Sequence, residues 1–255
     1  MTDSIRTATL NGIATIEIAR PEKKNALTQA MYTAMAEAIF DAQDDAKVRA
    51  ILITGQPGVF TSGNDLEDFM QRPPQGEDSP VFQFMRALAQ CEKPVVAAVT
   101  GAAIGIGTTM LLHCDLVYVS DEARLAMPFV GLGLVPEYAS SLLFAQLVGH
   151  VKAVEHLLLG DPFTGERAVE MGLANAVLPA GEVVNHARRM AERFNTLPPG
   201  AVRDSKRLMR RAQRALVEEQ IREEGKVFGS RLRSPEAMEA FQAFFEKRKP
   251  DFTKF

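Results

Sequence analysis

Cysteine is scarce: Cys91 and Cys114 are the two in 255 residues. Their positions match no repeated metal-ligand spacing and do not suggest a disulfide scaffold, so a reduced compartment is the simpler expectation. An excess of one charge is missing as well. Lys and Arg number 29 against 32 Asp and Glu, a formal net of -3, which argues against a broad nucleic-acid-binding face. No uninterrupted apolar run reaches the roughly 18 residues of a membrane span. Met1 to Leu10 holds no basic region followed by an apolar secretory core, and the closing Asp251-Phe252-Thr253-Lys254-Phe255 is not the usual peroxisomal address. A cytoplasmic protein is expected. Zinc spacing, the metalloprotease motif and the serine-nucleophile elbow are all lacking, and the chain shows no convincing internal repeat.

What is present suits a folded domain. Hydrophobic residues are 46% and charged residues 24% of the chain, ordinary for a globular protein and too apolar for disorder over most of its length. Ile5 to Leu10 and Ile13 to Ala19 alternate around Asn11-Gly12, the pattern of a hairpin with a two-residue turn. Met31, Met35, Ala38, Ile39 and Ala42 recur at helical spacing. Val48 to Thr54, Val95 to Thr100 and Leu116 to Val119 are short apolar runs that read as buried strands, with helical patterns between them. Strands separated by helices indicate an α/β layer or spiral. Arg72 to Pro80, with three prolines, a glycine and two acids, reads as a surface loop of the kind that can border a pocket.

The second half is mostly helical. Expected helices cover Ser140 to Leu147, Val151 to Leu159, Glu166 to Met171 and about Glu182 to Leu197, with a short strand at Ala174 to Leu178. Pro198-Pro199-Gly200 then divides the chain into a core, residues 1–199, and a helical C-terminal region, residues 200–255. Beyond it, Val202 to Val217 and Glu218 to Phe228 read as helices. Ser234-Pro235-Glu236 has the cap, the first-turn proline and the first-turn acid of a helix start. The aromatic-rich segment after it, with Met238, Phe241, Phe244 and Phe245, must dock on the main body or on another subunit.

Three small-residue turns could carry chemistry. Gly101-Ala102-Ala103-Ile104-Gly105-Ile106-Gly107 follows a strand and either packs a strand tightly on a helix or points free amides at an anion. It lacks the lysine of a nucleotide-triphosphate loop and the spacing of a dinucleotide loop. Phe60 to Leu66 could expose amides beside it, with Asp65 as a helix cap. In Gly131 to Glu137, Glu137 lies between apolar residues and Tyr138. It reads either as a helix N-terminal acid or, if buried, as a general base of raised pKa. His113, without spaced partners, reads as a packed histidine rather than a metal ligand or nucleophile.

Together these segments resemble the crotonase, or enoyl-CoA hydratase/isomerase, superfamily over nearly the whole chain. The matching pieces are Arg20 to Leu27, Phe60 to Leu66, Pro94 to Gly107, Cys114-Asp115, and Gly172-Leu173-Ala174 ahead of Pro179. The resemblance implies an α/β fold, a crotonase-like spiral of ββα units with a helical C-terminal appendage. It also implies acyl-CoA thioesters as substrates and a homo-trimer or dimer of trimers as the assembly. The backbone N–H groups of Asn64 and Ile106 match the family's oxyanion hole. Lys23, Lys24, Ala26 and Leu27 match its CoA-binding loop, and Lys206 and the Phe245–Lys249 segment resemble C-terminal positions near CoA.

Departures from the family pattern bear on the reaction. The two hydratase glutamates are replaced by Thr109 and by the Phe129 of Pro128-Phe129. Hydration needs one group to activate water and another to deliver a proton. Glu137, within Gly133-Leu134-Val135-Pro136-Glu137, instead matches the single catalytic glutamate of peroxisomal-type Δ3,Δ2-enoyl-CoA isomerases, although that subgroup commonly has glycine where Tyr138 stands. The expected reaction is isomerisation of a 3-enoyl-CoA to the trans-2-enoyl-CoA with no metal or redox cofactor, coenzyme A being part of the substrate. Phe129, Leu132 and Tyr138, with the Phe82–Met85 region, are candidate acyl-pocket residues, each of which could equally be core. The alternatives are a hydratase or another crotonase reaction, and a catalytically weak acyl-CoA-binding protein.

Overall fold

Apolar runs of five residues with no polar alternation suit strands covered on both faces. In the computed structural model, which describes residues 4–74 and 76–255, they form the centre of a parallel sheet. The chain begins with the hairpin β1 (Ile5–Leu10) and β2 (Ile13–Ile18), followed by α1 (Gln29–Asp44). Next come β3 (Ala50–Thr54), β4 (Val59–Thr61), α2 (Leu66–Gln71), α3 (Pro80–Ala89), β5 (Val95–Val99), β6 (Ala102–Ile104), α4 (Ile106–Thr109), β7 (Leu116–Ser120) and β8 (Arg124–Ala126). Then follow α5 (Ser140–Val148), α6 (His150–Leu157), β9 (Phe163–Thr164), α7 (Gly165–Glu170), β10 (Ala176–Leu178) and α8 (Val183–Glu192). The helices α9 (Pro199–Arg210), α10 (Arg214–Arg231) and α11 (Pro235–Phe245) complete the fold. Gln75, inside the expected Arg72–Pro80 loop, lies outside the described residues, as do residues 1–3.

One sheet has the order β1-β2-β3-β5-β7-β10, and the other β4-β6-β8-β9. Each circuit of the chain therefore adds one strand to the larger sheet and the next to the smaller, as the pairs β3/β4, β5/β6 and β7/β8. This is the expected spiral of ββα units. The central ladders are parallel, with Ile51 opposite Val95 and Val96 opposite Leu116. Alternate residues serve two cores. Ile51, Ile53, Val95 and Ala97 join Met31, Met35, Met85 and Leu88 from α1 and α3, whereas Ala50, Leu52, Val96 and Ala98 meet Val183, Ala187 and Ala191 of α8. Burial on both faces explains the missing alternation.

The Pro198-Pro199 break ends one helical stretch and starts another, with Pro199 in the first turn of α9. It does not divide the core: Ile221 and Phe228 of α10 and Ala237 and Phe241 of α11 belong to the main apolar cluster. The expected Val202–Val217 helix is corrected. The helix stops at Arg210, and α10 runs unbroken through Val217 and Glu218. No helix breaker marks that stop. Lys206 and Arg210 both reach Asp115, at 2.6 and 3.0 Å, so a tertiary anchor accompanies the end of α9. The helix start at Ser234 is as expected, its hydroxyl accepting from Ala237 N at 3.2 Å. α11 buries Ala237, Ala240, Phe241 and Ala243 and leaves Met238, Phe244 and Phe245 exposed.

Candidate active site

The strands β4 and β6 are adjacent and parallel, with Val59 opposite Ala102 and Thr61 opposite Ala103. Both chains therefore leave the sheet in the same direction, and the two glycine turns lie side by side. Their contact is close: a Cβ on Gly63 would stand 2.9 Å from Ile104 O. Leu27 N donates to Gly63 O at 2.8 Å and Asp65 N to Leu27 O at 2.9 Å. This parallel bridge occupies the groups flanking Asn64 and turns the Asn64 amide away from Leu27. Ile106 opens α4, where an N–H has no intrahelical acceptor. Among the described residues neither amide donates a backbone hydrogen bond. Gly105, at φ 57° and ψ -119°, takes a conformation open to glycine and aims the start of the helix. Asn64 and Ile106 thus sit on neighbouring turns with N–H groups available to a ligand oxygen.

Glu137 reaches α4 from another element. It is buried, 6% exposed, and Thr109 Oγ1 donates to its Oε1 at 3.2 Å. Thr109 lies one helical turn beyond Ile106, at the position where the resemblance calls for a hydratase glutamate. A carboxylate missing from residue 109 is therefore supplied beside it by residue 137. Burial pushes the Glu137 pKa up to about 8, the Thr109 hydrogen bond pulls it down, and the charge of Glu224 raises it again. Tyr32 of α1, fully buried, donates its hydroxyl to Asn64 Oδ1, and burial followed by the Glu137 charge holds its pKa well above the ordinary value.

The turn after Glu137 is unusual. Tyr138 and Ala139 both have positive φ, 63° and 56°, a left-handed pair that costs on the order of 1–3 kcal/mol per residue. This accounts for the glycine common at position 138 in the subgroup the chain resembles. Here tyrosine is held there by its surroundings. Its ring stacks on His113 at 3.9 Å between centroids, and its hydroxyl donates to Met85 O at 2.8 Å. His113 Nε2 lies 2.9 Å from Tyr138 O. A carbonyl can only accept, so Nε2 carries the proton. Burial drives the His113 pKa down to about 3, which keeps the ring neutral, a packed histidine as expected. From α10, Glu224 accepts from Ala139 N at 2.5 Å, from Ser141 N at 3.0 Å and from the Ser141 hydroxyl. It supplies the cap that α5 lacks from its own first residues. Burial raises the Glu224 pKa to about 7 against these hydrogen bonds.

A cavity of about 330 Å3 adjoins Glu137 and Tyr138, walled by Phe69, Val81, Phe82, Met85 and Phe228. Of the three residues expected at an acyl site, Tyr138 lines this cavity. Phe129 and Leu132 are not among its lining residues. Phe129 is buried behind the wall, edge-on to Phe228 at 6.4 Å. The Phe82–Met85 region does line the cavity. Lys23 and Lys24 are exposed, whereas Leu27 is 1% exposed and its N–H and C=O are already bonded to Gly63 and Asp65, which corrects its expected place among the CoA contacts. The loop itself is rigidly held: Asn25 Nδ2 donates to Val59 O and Phe60 O at 3.1 Å, and Arg20 Nη1 to Ala26 O at 2.9 Å and Asp65 at 2.6 Å. Asp65 also caps α2, accepting from Asp68 N. Lys206 is a correction. It is buried and bonded to Lys93 O and Asp115, which leaves its ammonium committed to the fold rather than to CoA. Among the described residues no three His, Cys, Asp or Glu side chains converge in metal-binding geometry, and no helix is long and apolar enough to cross a membrane. Tyr32, Glu224 and the His113–Tyr138 stack were not identified as site components from sequence. The subgroup's glycine at 138 was the available clue to the strained turn.

The profile described as "Enoyl-CoA hydratase/isomerase" matches residues 8–254. "Enoyl-CoA delta isomerase 2" of Homo sapiens is 33% identical over 93% of this chain and 62% of its own length. "Probable enoyl-CoA hydratase" of Bacillus subtilis (strain 168) is 30% identical over 94% of this chain and 95% of its own. Among solved structures, that of Pseudomonas aeruginosa OdaA is 54% identical with a TM-score of 0.94, covering 95% of this chain and 99% of that one. An enoyl-CoA hydratase/isomerase from Pseudoalteromonas atlantica T6c is 40% identical, also at 0.94, covering 98% and 100%.

Proposed function

The chain belongs to the enoyl-CoA hydratase/isomerase family, whose members act on acyl-CoA thioesters, and within it we propose that this protein is a Δ3,Δ2-enoyl-CoA isomerase with Glu137 as its one base. The observation that carries this reading is the pairing of Glu137 with Thr109. The buried Glu137 carboxylate accepts from Thr109, the residue one helical turn beyond Ile106, where the hydratase pattern calls for a glutamate on α4 itself. In this mechanism the thioester oxygen of a 3-enoyl-CoA accepts hydrogen bonds from Asn64 N and Ile106 N. Glu137 takes a proton from C2, and the electrons move into a dienolate. The protonated Glu137 returns the proton to C4, the double bond settles between C2 and C3, and the base is regenerated. Each amide contributes about 2.7–4 kcal/mol to a developing oxyanion in comparable holes. A carboxylate of raised pKa is a stronger base for a C–H proton, and Glu137 gains its basic form as pH rises through about 8.

The Bacillus subtilis relative, a probable enoyl-CoA hydratase, favours a hydratase reading. A second acid–base group would be needed, and the other buried carboxylate close by, Glu224, is already bonded to two backbone amides and a hydroxyl. Lys23, Lys24 and Ala26 are proposed to meet CoA, with Lys249 a further contact, and the exposed Met238, Phe244 and Phe245 to support a trimer in the cytoplasm. The test is to incubate the purified protein with trans-3-hexenoyl-CoA and with trans-2-hexenoyl-CoA and to identify products by chromatography and mass. Isomerisation of the first, lost in Glu137→Gln, is expected. Rapid hydration of the second with no isomerisation of the first would replace this reading with the hydratase.

A further inference from the structure

Phe82 lines two cavities. One is the 330 Å3 cavity beside Glu137. The other, about 110 Å3, lies on the far side of the ring between α3, α9 and α10, with Ala89, Leu112, Leu143 and Val217 in its apolar wall. Ile221 and Arg222 of α10 border both as well. The ring bridges from α3 to α10 at a point where α10 has no side chain. A Cβ built on Gly225 would overlap Phe82 Cζ and stand 2.8 Å from Cε1 and 3.3 Å from Cε2. Gly225 is therefore the seat of the aromatic edge, and helix stability is given up there for a close approach, at about 1 kcal/mol relative to alanine. Arg86 and Arg222 flank the contact, and both pair with Glu77.

We propose that Phe82, seated on Gly225, is the specificity-determining residue that closes the far end of the acyl site and limits how long an acyl tail the protein accommodates. This rests on reading the cavity beside Glu137 as the acyl site. A tail running from Glu137 between Val81, Met85 and Phe228 meets the ring before it meets the second chamber. With the ring removed the two cavities become one channel, whose far chamber offers the apolar side chains of Ala89, Leu112, Leu143 and Val217 alongside charged ones, among them Arg86, Arg210 and Glu218. Each further methylene buried there strengthens binding about fourfold, so two more give about fifteenfold.

Saturated hexanoyl-, decanoyl- and palmitoyl-CoA cannot isomerise, so their binding reports the channel independently of the reaction. Isothermal titration of the wild type, Phe82→Ala and Phe82→Leu would compare the ratio of palmitoyl to decanoyl affinity. The expected result is a ratio raised tenfold or more in Phe82→Ala, a smaller rise in Phe82→Leu, and little change for hexanoyl-CoA. A ratio within twofold of the wild type in whichever variant folds would overturn the proposal. Failure to isomerise trans-3-hexenoyl-CoA alongside a raised ratio would remove the isomerase reading and leave the gate standing. Normal isomerisation with an unchanged ratio would do the reverse.

Discussion

Glu224→Gln separates the placement of the base from its chemistry. The carboxylate of Glu224 receives the amides of Ala139 and Ser141 and the Ser141 hydroxyl, and so pins the left-handed pair that follows Glu137. Hydrogen bonds to a charged group contribute about 1.5–3 kcal/mol each. Glutamine keeps one acceptor and introduces a donor facing an amide, so a loss of about 2 kcal/mol is expected, seen as a fall of about 4–8 °C in Tm for a chain of this size. A shift of the turn by about 1 Å would displace Glu137 from its substrate carbon, and misplacements of that size cost roughly a hundredfold in rate. The amides of Asn64 and Ile106, proposed to hold the thioester, are untouched, so the loss should fall on kcat and leave KM within about threefold. The pH profile adds a readout that a purely structural role would not move. Burial is the larger cause of the raised Glu137 pKa, but the Glu224 charge adds to it. Removing that charge eases ionisation, so the acid limb of kcat/KM should move to lower pH. Steady-state isomerase assays between pH 5.5 and 9.5 measure all three quantities. Wild-type kcat together with an unmoved acid limb would refute the positioning argument, whatever happened to Tm.

The remaining expectations concern the base, the hole, the anchor and the assembly. The wild-type kcat/KM should rise with pH toward an apparent pKa near 8, reported by the Glu137–Glu224 pair together rather than by one residue; a limb near 4.5 would contradict the buried base. Glu137 has a folded pKa above its unfolded one, so its favourable contribution holds below about 4.5 and is lost as pH rises through about 8. Glu137→Gln should therefore be inactive yet more stable than the wild type at pH 9, by up to the order of 4 kcal/mol, with the gap closing at pH 5 in thermal melts. Gly105→Ala has room, since its Cβ would stand 3.8 Å from the Phe129 ring, but not the backbone freedom. It should swing the Ile106 amide away and lower kcat about a hundredfold with little change in fold by circular dichroism. Asp115→Ala leaves the buried Lys206 ammonium without its partner and should destabilise the chain by about 3–5 kcal/mol in urea, while acyl-CoA affinity of the folded fraction stays unchanged. Sedimentation should give a trimer or its dimer, and a monodisperse monomer would remove the role proposed for the exposed face of α11.

Local physics was legible along the chain wherever a residue's role depends on its neighbours in sequence. The apolar runs at β3, β5 and β7, the Asn11-Gly12 hairpin, and the caps at Asp65 and Ser234 each follow from side-chain period or from a hydroxyl or carboxylate placed ahead of a helix. The resemblance of the glycine turns and of Gly133 to Glu137 to a known family added the candidate oxyanion amides and the candidate base. The stop of α9 at Arg210 was not legible, because it coincides with a tertiary ion pair rather than with a breaker. Nor was Glu224. In the run Glu218-Glu219-Gln220-Ile221-Arg222-Glu223-Glu224 four acids look alike, and Glu223 and Glu224 are neighbours with opposite fates, one exposed and one buried. Only the packing of α10 on α5 selects which carboxylate is desolvated and which amides it meets, 85 residues away in the chain. The same holds for the cavity: Phe69, Phe82, Phe129 and Phe228 are all apolar aromatics in sequence, and the crossing of α3 and α10 decides which of them face it. Sequence periodicity states that a side chain is to be buried. What it is buried against is a property of two elements at once, and that is settled only when the spiral closes and the C-terminal helices pack across it.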